Sequence, residues 1–341
     1  MAAYGREDAR TWAKEYMRGV CGCLLPTLNS SLTALNEAAV RHDLRREAEL
    51  GYWGTLLVSE CGTTDAEMCD VVDIAVDESR KLGLRTMLLA SFPTLDRTIE
   101  MVRYARTRGV DLVLLSYPLT FHPGSEEEVF RYTKAVADAS DIAIMLFCVH
   151  QWDFGSLHPS GFSPALIGRM IKELPNVVAV KNEIGGPGVG GIAEVFMRFG
   201  DEVVVTDPFE QNAPAWVSTF GMQFMGSSNY EYLGDVPVRM FEMLQARKID
   251  EAMELYWSVH PARQANAQLA AAYMPGAGLI HRLLWKYQYW LNGFNGGPVR
   301  APHLRLMEGQ RNLARAGLVR SGLECTDSSD AEFFVGRCPM D

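Results

Sequence analysis

The chain has 341 residues, 48% of them hydrophobic and 22% charged, with a formal net charge of −10. That balance suits a globular protein with a large core and leaves room for one large α/β domain with an extension, or for two domains. The acidic excess and the lack of a basic run argue against nucleic acid as a partner, and no stretch reaches the roughly 18 unbroken apolar residues of a membrane helix.

The opening "MAAYGREDARTWAKEY" mixes both charge signs and lacks a signal peptide's apolar core. It reads as a short amphipathic helix within a 1–17 extension, and the protein is expected to be cytoplasmic. Next come apolar runs rich in β-branched residues, separated by segments of helical period. The strand candidates are "GVCGCLL" (19–25), "GTLLVS" (54–59), "RTMLLAS" (85–91), "DLVLLSY" (111–117), "IAIMLFC" (142–148), "VVAVK" (177–181), "EVVVT" (202–206) and "MQFMGSS" (222–228). The last carries the weakest signal. Between the first two, "TALNEAAVRHDLRREAELG" is a helix with its start signal in Ser30, Ser31 and Thr33. After the fourth, "SEEEVFRYTKAVADAS" has Ser125 as N-cap and three glutamates at the helix's positive end.

Strands that are apolar throughout suit a parallel sheet covered by helices. Eight βα units in about 230 residues point to an α/β protein of the (β/α)8 TIM barrel class, over 18–234. From Pro237 to about Leu318 only helical segments follow, so a C-terminal helical domain is expected over 235–320. The tail, 321–341, is polar apart from "FFV" and is expected to be partly disordered or to dock on a neighbour.

Metal chemistry has little to stand on. The seven histidines form no HxxxH or HxH pair. Cys21 and Cys23 share one face of a strand but read as buried free thiols. "GGPGVGG" (185–191) spells Gly186-x-Gly188-x-x-Gly191, a dinucleotide-loop pattern that is weak alone and stands in a barrel; a flexible loop over the mouth is the better reading.

One residue breaks the apolar pattern. Lys181 ends "NVVAVKNEIG", and a lysine is rarely buried without a partner. At the C-terminal end of the sixth barrel strand it can point into the mouth, where desolvation exposes a nucleophilic amine able to form a Schiff base. It can equally snorkel to water or pair with Glu183.

Together, "NVVAVKNEIG", the sixth strand of eight and the helical extension resemble the dihydrodipicolinate synthase and N-acetylneuraminate lyase superfamily. "LLPTLNSSLT" (24–33), "GYWGTLLVSECGT" (51–63), "GVDLVLLSYPLTFHP" (109–123) and "GGPVRAPHLRL" (296–306) are similar to further family segments. The resemblance covers roughly residues 18–318. It implies a (β/α)8 fold, a covalent imine between Lys181 and pyruvate or another 2-oxo acid, no metal or organic cofactor, a carbonyl partner substrate, and a homotetramer built as a dimer of dimers.

The chain also departs from the family. Where the family places a proton-relaying tyrosine, Phe147 stands, and phenylalanine carries no exchangeable proton. The threonine pair that holds the substrate carboxylate falls on Glu60 and Cys61, or, with a gap, on Gly62, Thr63 and Thr64. The arginine for a second carboxylate falls near Trp152, so an apolar or aromatic partner substrate is expected. The proton carriers left to consider are Glu60, Tyr117 and His150. Against them stand a packed Tyr117 with a wet hydroxyl and a solvent-facing His150. Ser227, at the end of the eighth strand, is a further substrate-binding candidate. The expected activity is an aldolase or hydratase-aldolase; the alternatives are an imine-dependent dehydratase, decarboxylase or cyclase, or a non-catalytic carbonyl-binding barrel.

Overall fold

The computed structural model describes residues 4–183, 189–274, 279–301 and 303–340. The glycine-rich pattern at 185–191 falls largely outside the described residues.

All eight predicted strands form: β1 (Gly19–Leu24), β2 (Gly54–Leu57), β3 (Arg85–Ala90), β4 (Leu112–Leu115), β5 (Ala143–Cys148), β6 (Val177–Asn182), β7 (Val204–Thr206) and β8 (Phe224–Gly226). They make one sheet in the order β7-β6-β5-β4-β3-β2-β1-β8, with helices between successive strands. The chain is a (β/α)8 TIM barrel with C-terminal helices. The eighth strand, with the weakest sequence signal, keeps only three residues.

By internal contacts the chain divides into two units. The first comprises 1–21 and 85–226 and holds β3 to β8. Its strands are buried along their whole length apart from Arg85 and Phe147, as continuous apolar runs demand of a sheet covered on both sides. The N-terminal helix, Ala9–Tyr16, packs in this unit: Arg10 donates to the carbonyl of Val177 (2.9 Å) at the start of β6. The helix Glu126–Asp138 begins at the Ser125 cap, whose side chain accepts from the N–H of Glu128.

The second unit comprises 22–84 and 227–341. Its first helix, Glu37–Glu49, is capped by Asn36 and not by the serines further upstream. Thr33 is taken up instead by the turn at Asn29, whose side chain accepts from its N–H (2.8 Å). Helices over Val236–Gln245, Ile249–Ser258, His260–Ala271, Arg282–Leu291 and Glu308–Arg320 form the extension. The tail is ordered and docks on its own chain. Asp330–Val335 is a helix, and Phe333, fully buried, packs edge-on to Tyr287 (5.1 Å) and against Trp290 (5.8 Å). Of "FFV", Phe333 therefore has an internal partner, whereas Phe334 and Val335 stay exposed. Gly22 in β1 has no room for a side chain: a Cβ there would meet Glu231 Oε1 at 2.5 Å and Glu47 Oε1 at 3.2 Å.

Candidate active site

The candidate residues divide between the two units. In the first, strand register does the positioning. Lys181 sits in β6 with Phe147 of β5 on one side and Thr206 of β7 on the other. Residues two apart share a strand face, so Glu183, just past the end of β6, falls on the side of Lys181. Its backbone N–H donates to the carbonyl of Cys148 (2.8 Å), which ties this end of the segment to β5. The lysine is only 4% exposed. Its Nζ lies 2.9 Å from Glu183 Oε1 and 4.0 Å from the centroid of the Phe147 ring. A desolvated ammonium over an aromatic face gains about 0.5–2 kcal/mol, which helps to hold the amine in place.

Phe147 is itself fixed. Trp152 meets it edge-on at 5.6 Å and donates its indole N–H to the Phe147 carbonyl (2.8 Å). Both rings are half-buried, and Phe147 presents its face to the Lys181 amine. Asp207, immediately after β7, is fully buried, and burial pushes its carboxyl up. Both of its oxygens are engaged: one accepts from the N–H of Phe209 (2.8 Å), the other from Asn212 (2.8 Å) and Trp216 (2.7 Å).

Tyr117 and His150 are not brought to Lys181. The Tyr117 hydroxyl is bonded to Thr133 Oγ1 (2.7 Å) on the helix Glu126–Asp138. Its ring lies among Phe121, Tyr132, Phe154 and Phe162, and burial drives its ionisation far above the ordinary phenol range. His150 opens the short 3-10 turn His150–Trp152 and is exposed.

In the second unit, the turn after β2 carries the other candidates. Glu60 is 38% exposed along its side chain and ion-paired with Arg282 at 2.6 Å. Cys61 is buried, and burial pushes its thiol up to about 11. Gly62 has φ +71°, and a Cβ would meet Arg300 Cβ at 2.7 Å, so the turn requires glycine. Thr63 has a long hydroxyl contact to the Ser59 carbonyl (3.5 Å). Thr64 is the N-cap of the helix Asp65–Leu82, in a reciprocal capping box with Glu67. Glu67 also accepts both Arg300 Nη1 (2.6 Å) and Nη2 (2.7 Å). Thr64 is thus occupied as a cap, while Glu60 and Cys61 stand three and four residues past the end of β2. Ser227 follows β8, and its hydroxyl oxygen is buried without a hydrogen-bond partner among the described residues.

A second buried lysine went unnoticed in the sequence. Lys286, on the helix Arg282–Leu291, donates to the carbonyl of Pro26 (2.8 Å) and to Thr27. Burial lowers its ammonium to about 8, against the pull of Asp43 and Cys61. Arg282 and Lys286 lie in a helix whose aromatic spacing reads as packing, so nothing in the local sequence marks them. The described residues contain no group of His, Cys, Asp and Glu suited to a metal, and no described helix is long and apolar enough to cross a membrane.

A model of the dihydrodipicolinate synthetase family matches residues 66–312. A 4-hydroxy-tetrahydrodipicolinate synthase of Cutibacterium acnes is 27% identical over 284 residues, spanning 76% of this chain and 85% of the relative. In fold, the chain is similar to the crystal structure of N-acetylneuraminate lyase from Fusobacterium nucleatum, with a TM-score of 0.73, 16% identity, and 89% and 99% of the two chains covered. It is likewise similar to dihydrodipicolinate synthase from Aquifex aeolicus, with a TM-score of 0.76, 16% identity, and 91% and 100% covered.

Proposed function

The chain belongs to the dihydrodipicolinate synthetase family, and from that premise we propose that it is a Schiff-base-forming lyase acting on pyruvate or another 2-oxo acid. The observation that carries this reading is Lys181 itself: a lysine at the C-terminal end of β6, 4% exposed, its amine laid against the Phe147 ring. In a (β/α)8 fold that end of a strand is where chemistry is done.

The amine adds to the ketone carbon, water leaves, and the resulting iminium withdraws electrons from the adjacent carbon. Carbon–carbon cleavage or formation then passes through an enamine. The half-buried Phe147–Trp152 pair supports an apolar or aryl partner substrate, since neither ring offers a charge to a second carboxylate. Phe147 supports a rival reading too: without a phenol there, the barrel would bind a carbonyl compound and not turn it over.

The test is exchange of the pyruvate methyl protons with D2O, followed by proton NMR. An imine that passes to an enamine washes deuterium into the methyl group, and Lys181→Ala abolishes the exchange. No exchange with pyruvate or with a panel of aryl 2-oxo acids would refute turnover and favour the rival.

A further inference from the structure

We propose that Glu183 is the acid–base catalyst at Lys181, doing with a carboxylate the proton transfers that Phe147 cannot do. This rests on the imine reading above. An ammonium has no lone pair and must lose a proton before it can attack a carbonyl. Among the described residues, Glu183 is the only titratable side chain in polar contact with the Lys181 ammonium, at 2.9 Å. That is within reach for direct transfer. The Glu183 carboxylate has no other polar partner among the described residues, whereas the neighbouring carboxylate, Asp207, has both oxygens committed to three donors. The segment that carries Glu183 is anchored by its backbone bond to Cys148, and the side chain is largely buried, at 13% exposure.

The proton count closes. Glu183 takes one proton from the Lys181 ammonium. The neutral amine forms the C–N bond, and the ketone oxygen takes that proton from Glu183 as its π bond breaks. Glu183 then removes a second proton from the nitrogen of the adduct and delivers it to the new hydroxyl. That hydroxyl leaves as water, and the nitrogen lone pair forms the iminium. The carboxylate ends ionised beside the iminium cation, with ammonium and ketone converted to iminium and water. Phe147 supplies the wall that keeps the pair together and contributes no proton.

The experiment follows the rate of adduct formation on Lys181 with pyruvate and cyanoborohydride, by intact-protein mass, in wild type, Glu183→Gln and Glu183→Ala. The expected result is a slowing of about 10²-fold or more in both variants, with the adduct still reached on long incubation. Added formate or acetate should then speed Glu183→Ala, acetate more than formate, following their basicity. A carboxylate that only held the lysine in place would not be replaced by a diffusing base in order of basicity. Wild-type rates in both variants, or slow rates indifferent to added carboxylate, would overturn the proposal. If wild type itself forms no adduct, the imine reading fails first, and Glu183 falls with it.

Discussion

Replacing Glu67 with glutamine removes one charge from the first turn of the helix Asp65–Leu82 and leaves its shape in place. Glutamine can still serve the capping box at Thr64, but it cannot take the paired donors of Arg300 as an anion. The Arg300 guanidinium, aided by the N–H of Thr64 and opposed by burial, holds the Glu67 carboxyl down from 4.5 to about 2. At 1.36 kcal/mol per tenfold change in proton affinity, that would amount to at most about 3.4 kcal/mol. Both partners remain partly open to water, Arg300 at 24% and Glu67 at 14% exposure, so about 1–2 kcal/mol is the realistic share. The folded value is depressed, so this stability is fully present above pH 4.5 and drains away as pH falls toward 2. Urea unfolding of wild type and Glu67→Gln between pH 7 and pH 3 reads it directly. The difference should be about 1–2 kcal/mol at pH 6 to 7 and should shrink steadily below pH 4.5. A gap that stays constant across that range would refute the charge argument.

The buried carboxyls around Gly22 should act with the opposite sign. Burial, with the nearby charge of Glu231, holds Glu47 well above its ordinary value, so wild type loses stability as pH rises past 4.5. Glu47→Gln should gain on wild type by up to about 1.4 kcal/mol per pH unit between pH 5 and 7, and parallel pH profiles in denaturant unfolding would contradict it. Phe333→Ala empties a fully buried site between Tyr287 and Trp290. It should cost about 3–5 kcal/mol in the same assay and make the chain beyond residue 320 sensitive to limited proteolysis; a resistant tail would contradict its internal docking. Tyr117→Phe loses one buried hydrogen bond to Thr133 and should cost about 1 kcal/mol of stability. Its adduct rate with pyruvate should match wild type, and a large drop would return Tyr117 to the proton chemistry.

Strands and barrel were legible because each strand is a single apolar run, and burial on both faces needs nothing from distant sequence. The position of Lys181 at the end of β6 followed from the same pattern, and that of Phe147 near it from the family resemblance. Side-chain partnerships were not legible, because they depend on which helix lies above. Glu60 finds Arg282 from a helix 222 residues further on, and Tyr117 points its hydroxyl at Thr133 on the next helix. Ser30, Ser31, Thr33 and Asn36 put four capping residues within seven positions, and only the turn at Asn29 singles out Asn36 as the cap. The tail reads as polar, yet Phe333 finds a buried aromatic socket, and Asp330 pairs with Arg311 and accepts from Tyr287. The Lys-x-Glu spacing of Lys181 and Glu183 was visible all along, but only the strand geometry turns that spacing into a contact.

The proposed imine needs a nucleophilic lysine, and the described residues include two buried ones. Borohydride reduction with pyruvate, followed by peptide mass spectrometry, separates them. One reduced pyruvyl adduct is expected, on Lys181, and it is lost in Lys181→Ala. An adduct on Lys286, whose ammonium burial already lowers to about 8, or no adduct with pyruvate and a panel of aryl 2-oxo acids, would contradict it.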